Sequence, residues 1–167
     1  MKKLFFSLLL LALPLMVGAQ TLKFGYLSYN RALKAMAGYA MAQKNLADLQ
    51  GKYDAEYKRS EDEFNQKYEE FLDGQRDFAP SILKKRQAEL QDFMEKNIIF
   101  KKESQRLLQE AEIDAMKPLK VKLNEAIRKI AQEHGFAFVL NTDNDATPYV
   151  DPALGEDITT LVCDAVK

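Results

Sequence analysis

EEFLDGQRDFAPSIL, residues 69–83, interrupts two long runs of charged, helix-favouring sequence. It holds Gly74 and Pro80, the only glycine or proline between Gly51 and Pro118. It also holds Phe71, Leu72, Phe78, Ile82 and Leu83. One break near the middle of a solvated stretch predicts a turn between two helices. Pro80 suits the first turn of the second helix, where a missing N–H costs nothing.

The runs on either side carry a helical period. From Tyr39 to about Gln75, Leu46, Leu49, Tyr53, Tyr57, Ser60, Phe64, Tyr68 and Phe71 recur in steps of three and four. The spacing is close to an 11-residue repeat, which gives a straight or slightly right-handed seam. Nearly everything between is charged or amide-bearing, so one narrow face packs and the flanks stay wet. From Pro80 to about His134 a second stripe runs through Leu83, Leu90, Phe93, Phe100, Leu107, Ala111, Ala115, Leu119, Leu123, Ile127 and Ile130. Asn97 and Ser104 interrupt it. Pro118 is expected to bend the helix, and Val121, Ala126 and Ala131 to thicken the stripe into a core. Gly135 supplies a left-handed stop after His134. The two stripes predict an antiparallel helical hairpin with arms of about 37 residues, roughly 55 Å long.

A hairpin returns both chain ends to one place. At the first end, Leu22, Phe24 and Tyr26 alternate as in a half-buried strand. Ser28 or Asn30 then caps a short helix from Asn30 to Met36, with a kink at Ala37–Gly38. At the other end, FAFVLNTDNDATPYV reads as strand, polar turn and strand, with Phe136, Phe138 and Leu140 alternating. Asp157 caps a closing helix whose apolar side is Ile158, Leu161, Val162 and Val166. The expected class is α+β, mostly α: a long helical hairpin arm (39–117, tip at 74–80) on a small β-containing body (21–38 and 118–167). A body of about 70 residues buries a marginal core by itself, which favours a symmetric oligomer that shares strands and apolar faces.

Composition narrows the function classes. MKKLFFSLLLLALPLMVGAQ, residues 1–20, reads as a cleavable signal peptide: Lys2 and Lys3, then an apolar run from Leu4 to Leu13, then the small Gly18 and Ala19. No cysteine follows it, so it is not a lipoprotein signal. The start looks bacterial and places the mature chain in the periplasm. Without Lys2 and Lys3 the chain carries 22 basic residues against 25 acidic ones, which argues against a general nucleic-acid binder. Cys163 is the only cysteine and is read as a buried thiol; His134 is the only histidine and is read as a helix C-cap. No catalytic constellation, phosphate loop or set of metal ligands is visible, so the expectation is no enzyme, cofactor or metal.

LKFGYLSYNRAL at the start, with FVLNTDND, PYVD and DITTLV at the end, resembles the Skp/OmpH family of periplasmic chaperones for outer-membrane proteins. The likeness covers the whole mature chain in architecture and is sequence-specific at its two ends. It implies a homotrimer with a β-barrel-like body and three helical arms around a cavity that holds unfolded outer-membrane β-barrel proteins without ATP. Phe24, Tyr26, Phe136, Phe138, Leu140, Ile158 and Leu161 are the candidates for the trimer core. Well-known members of the family are strongly basic, whereas this chain has pI ≈ 5.9. No lipopolysaccharide site is therefore carried over, and contact with a membrane surface stays open.

Most arm aromatics are read as seam residues. Leu72, Phe78, Ile82, Met94 and Ile98 do not all fit one narrow seam and are the candidate client contacts. At the tip, Phe71 and Ile82 are expected to close the hairpin, leaving Leu72 and Phe78 partly exposed. A holdase chaperone is the leading expectation. The rival is a structural coiled-coil adaptor or spacer of the cell envelope.

Overall fold

The structure, a computed structural model, describes residues 22–143 and 147–167. The signal-peptide reading of residues 1–20 lies outside the described residues, as do Asn144 and Asp145 of the polar turn. Strand β1, Phe24–Leu27, buries Gly25 and Leu27 and leaves Phe24 and Tyr26 half-buried on its other face. That is the period of two that a strand imposes. Ser28 is the N-cap of α1, Tyr29–Ala35: its hydroxyl accepts the Arg31 N–H at 3.2 Å. Met36 takes an extended conformation (φ −66°, ψ 134°) and ends the helix, so the kink falls one residue before Ala37–Gly38.

Two long helices follow, α2 at Ala37–Gly74 and α3 at Pro80–Glu133. They run antiparallel, as the aromatic partners across them descend in step. Tyr53 meets Phe100 edge-on at 6.2 Å, Phe64 stacks on Phe93 at 6.0 Å and Phe71 meets Phe78 at 6.3 Å. The two polar interruptions are satisfied within the seam. Ser60 Oγ donates to Asn97 Oδ1 at 2.5 Å, and Ser104 Oγ donates to the Phe100 carbonyl at 2.8 Å. Tyr68 departs from the expected seam: it stacks on Phe64 at 6.1 Å and stays exposed. A strict 11-residue line carries it past the contact with α3. Helix α3 continues through Pro118 without a break.

His134 caps α3, and Gly135 follows at φ 67°, the one positive φ among the described residues. Strand β2 spans Val139–Asn141, strand β3 Gly155–Asp157, and α4 Thr159–Ala165. The sheet order is β2–β1–β3 and both pairings are parallel, with Gly25 opposite Val139 and Gly25 opposite Glu156. This corrects the expected second strand at Thr147–Val150. A hairpin there would pair antiparallel with β2; instead the chain past Asn141 crosses to the far side of β1. Pro148 and Pro152 lie in that crossover and have no N–H to give a ladder.

Helices α1 and α4 and the last turns of α3 cover one face of the sheet. The core there is Leu27, Ala32, Leu33, Met36, Leu123, Ile130, Phe136, Ile158, Val162 and Cys163. The Cys163 thiol is buried and unpaired in a disulfide, as expected. Val121 does not join this core and is exposed. The loop after β2 ties the two chain ends together. Asp143 accepts the Ser28 hydroxyl at 2.5 Å through Oδ1 and the Asn30 N–H at 2.6 Å through Oδ2. Ser28 N–H donates to Thr159 Oγ1 at 3.1 Å, and Thr159 N–H to Asp157 Oδ1 at 2.9 Å; the N-cap of α4 is Ile158 and not the expected Asp157, which the strand pairing holds one residue earlier at the end of β3.

Candidate functional site

Two surfaces stand out, one on the sheet and one along the helices. The uncovered face of the sheet is apolar. Phe24 on β1 stacks on Phe138 at 5.2 Å with the rings nearly parallel, and the pair borders a groove of about 1050 Å³ with Leu22, Tyr26 and Leu154. Leu22 and Leu154 are among the most exposed large apolar groups, and Phe138 is 41% exposed. Leu140 is half-buried, in register with Tyr26. Gly155 lies close under the Phe24 ring: a Cβ on it would come 2.5 Å from the ring and force the ring to shift. Of the proposed trimer-core residues, then, Phe24, Tyr26, Phe138 and Leu140 share this face. Phe136 and Ile158 are 9% and 1% exposed in the core of the single chain, and Leu161 points outward from α4.

Along the helices, Leu72, Ile82, Met94 and Ile98 are all exposed, as the spacing suggested. The tip closes differently from the expectation. Phe78 sits against Gly74, where a Cβ would come within 2.7 Å of the ring, and it packs on Phe71. Ile82, expected to pair with Phe71, is 47% exposed beside Leu72 at 43%. The planar ring reaches over the glycine, whereas Ile82 lies on the outer face of the next turn. Met41, Ile99, Ile113 and Val121 add to the exposed set. Of these, Met41 and Ile113 were legible only as apolar residues out of step with the seam.

The flanks around these side chains are charged. Every ion pair of α2 and α3 among the described residues lies within one helix. Hydrogen bonds from Arg59 hold the Glu56 carboxyl below its ordinary range, and those from Arg106 do the same for Glu103. The reciprocal contacts raise both arginines further. Burial raises the Tyr29 hydroxyl, which donates to Asn124 Oδ1 at 3.0 Å. His134 stacks on Phe136 at 5.4 Å, with Nδ1 3.4 Å from Glu156 Oε1; Glu156 also pairs with Lys23. Among the described residues no three His, Cys, Asp or Glu groups are placed to hold a metal, and no helix is long and apolar enough to cross a membrane.

The family described as Outer membrane protein (OmpH-like) matches residues 23–166. This chain belongs to the OmpH-like family. Among curated proteins none matches. The fold is similar to a crystal structure described as a candidate outer membrane chaperone (OmpH-like) from Caulobacter crescentus, with a TM-score of 0.70 and 19% identity. The likeness covers 86% of this chain and 82% of that one. An OmpH-like chain with a helical pair this long exposes its apolar groups in two sets: a sheet face and a spread along charged helices.

Proposed function

We propose that the chain is an ATP-independent periplasmic holdase for unfolded outer-membrane proteins, working as a homotrimer after its signal peptide is removed. The observation that carries this is the spread of exposed apolar side chains along α2 and α3. Leu72, Ile82, Met94 and Ile98 are spaced out among charged side chains, so no one patch is large enough to make copies stick. Together they offer an unfolded chain many weak contacts. Burying one such side chain stabilises by roughly 1.5–3 kcal/mol. Several contacts per arm, repeated on three arms, raise the effective concentration of the captive chain.

The helical pair is then an arm, and the region holding the sheet is the body. The open face of the sheet supports the trimer. Parallel sheets are buried on both faces almost without exception, yet here only one face is covered by the chain itself. Further copies supplying the second cover would bury Phe24, Tyr26 and Phe138. Release needs no fuel where the folded barrel in its membrane is the better-packed state. Met36 breaks one chain path into the body, Pro118 withholds one backbone hydrogen bond from the other, and Gly38, two residues after Met36, packs on Leu119, next to Pro118. That pair of weak points is where an arm swings to fit its cargo.

The deciding experiment measures light scattering of several unrelated unfolded barrels diluted into buffer with and without the mature chain. Protection of all of them, unaffected by ATP or EDTA, is the expected result. Protection of none sinks the holdase and leaves the envelope adaptor.

A further inference from the structure

Between Tyr39 and Tyr53, α2 carries only Lys44, Asp48 and Lys52 as charges, unlike the rest of the arm. Against it lies the segment of α3 around Gln105 and Gln109. The two form a groove of about 440 Å³ whose floor is the half-buried Leu46 and Leu108 and whose rims are Gln43, Gln50, Gln105 and Gln109. All four carboxamides are exposed and make no hydrogen bond to another described residue, which leaves their donors and acceptors open to a ligand. Of the charged neighbours, Arg106 is held by Glu103 and Glu110, and Glu112 is the one acid that reaches the groove.

We propose that this groove binds the backbone of an extended client segment, reading peptide groups rather than side chains. The inference rests on the holdase reading and names what one part of the arm recognises. A carboxamide carries the same donor and acceptor as a peptide bond, so it pairs with any residue. The spacing fits as well. Gln105 and Gln109 are one helical turn apart, about 6 Å along the axis. An extended chain repeats its outward N–H and C=O on one side every two residues, about 6.7 Å. Alternate side chains of such a segment would meet Leu46 and Leu108. Strands of outer-membrane barrels alternate apolar and polar residues in that way. Because glutamines form the rim and Glu112 is the one charge that lines the groove, this contact depends little on client charge or salt, which suits a chaperone of many clients.

The test uses the full mature chain and a fluorescent peptide of alternating valine and threonine. A second peptide is methylated at every other backbone nitrogen, which removes donors and leaves the side chains intact. Binding is read by anisotropy at low and high salt. The methylated peptide should bind about five- to thirtyfold more weakly, the loss of one or two hydrogen bonds, at either salt level. Replacement of Gln43, Gln50, Gln105 and Gln109 by Ala should weaken the parent peptide equally and abolish the difference between peptides. Equal binding of the two peptides by the wild-type chain overturns the inference. So does an alanine variant that still discriminates. Should that variant lose helicity, the comparison of peptides on the wild-type chain decides alone. A wild-type chain that binds neither peptide yet suppresses barrel aggregation loses the groove and keeps the holdase reading; one that does neither loses both.

Discussion

Asp143 holds two donors at once, one from a hydroxyl and one from a helix N-terminus, and both belong to the opposite end of the chain. Replacing it with Ala strands the Asn30 N–H and releases the Ser28 hydroxyl. Loss of a cap of this kind costs about 0.5–2 kcal/mol, and Asp143→Ala should lower the melting temperature of the mature chain while leaving far-UV dichroism of the native state unchanged. An unchanged melting temperature would mean that the loop contributes no clamp. At the tip the side chains divide by role. Leu72→Ser with Ile82→Ser should weaken capture of an unfolded barrel with no change in melting. Phe78→Ser should instead loosen the turn, because it empties the space over Gly74, and proteolysis between Gly74 and Pro80 should speed up. If Phe78→Ser alone abolished capture and left proteolysis unchanged, the assignment of roles would be wrong. The exchange of Phe78 and Ile82 was not legible in the sequence. Both residues suit a staple, and only the approach of an aromatic ring to a residue without Cβ separates them.

The helices are where periodicity was most informative. Charge between the apolar positions left one way to pack α2 on α3, and Gly74 to Pro80 left one place to turn. What periodicity could not give was the meeting of Ser60 with Asn97, which looked like two separate faults and is one polar contact inside the seam. Losing either partner leaves a polar group unpaired, at about 1–3 kcal/mol, whereas removing both is close to neutral. Asn97→Leu and Ser60→Ala should therefore each destabilise, and the double variant should recover most of the loss in a denaturation cycle. Strict additivity would show that the pair is not coupled. The helix charges give a second expectation. Glu56 and Glu103 have lowered folded values, so their contribution is present above the unfolded carboxylate value, about 4.3, and is lost as pH falls through the lowered value. Helicity should hold from neutral pH to that point and fall below it. Glu56→Gln with Glu103→Gln should flatten the acid limb; an identical limb in that variant would assign the decline elsewhere.

For the whole molecule, the body was harder to read than the arm. Alternation located β1 and β2, but Gly155–Asp157 has no strand-forming composition, and the parallel pairing depends on a crossover whose path no local pattern specifies. The candidate shared core split for the same reason. Phe136 and Phe138 alternate correctly, yet which of the two faces the covered side follows from where α1 and α4 settle. If the proposed trimer covers the open sheet face, Phe138→Asp should separate the copies in sedimentation velocity and leave each folded, because a charge on that face is costly only when it is covered. A stable folded monomer of the unmodified chain at micromolar concentration would remove the basis for this expectation.

The sheet also dictates an order of events in synthesis. Its central strand, residues 24–27, is made among the first, and neither neighbour exists until residues 139–157 have left the ribosome. Closing so long a loop is slow for a free coil, and proteins rich in distant contacts fold slowly for that reason. Helices α2 and α3 form from near neighbours in the meantime, and when they zip together they deliver the two ends to one another. A proline placed at an exposed position in the middle of α2 should therefore delay assembly of the sheet, although it touches none of the residues that compose it.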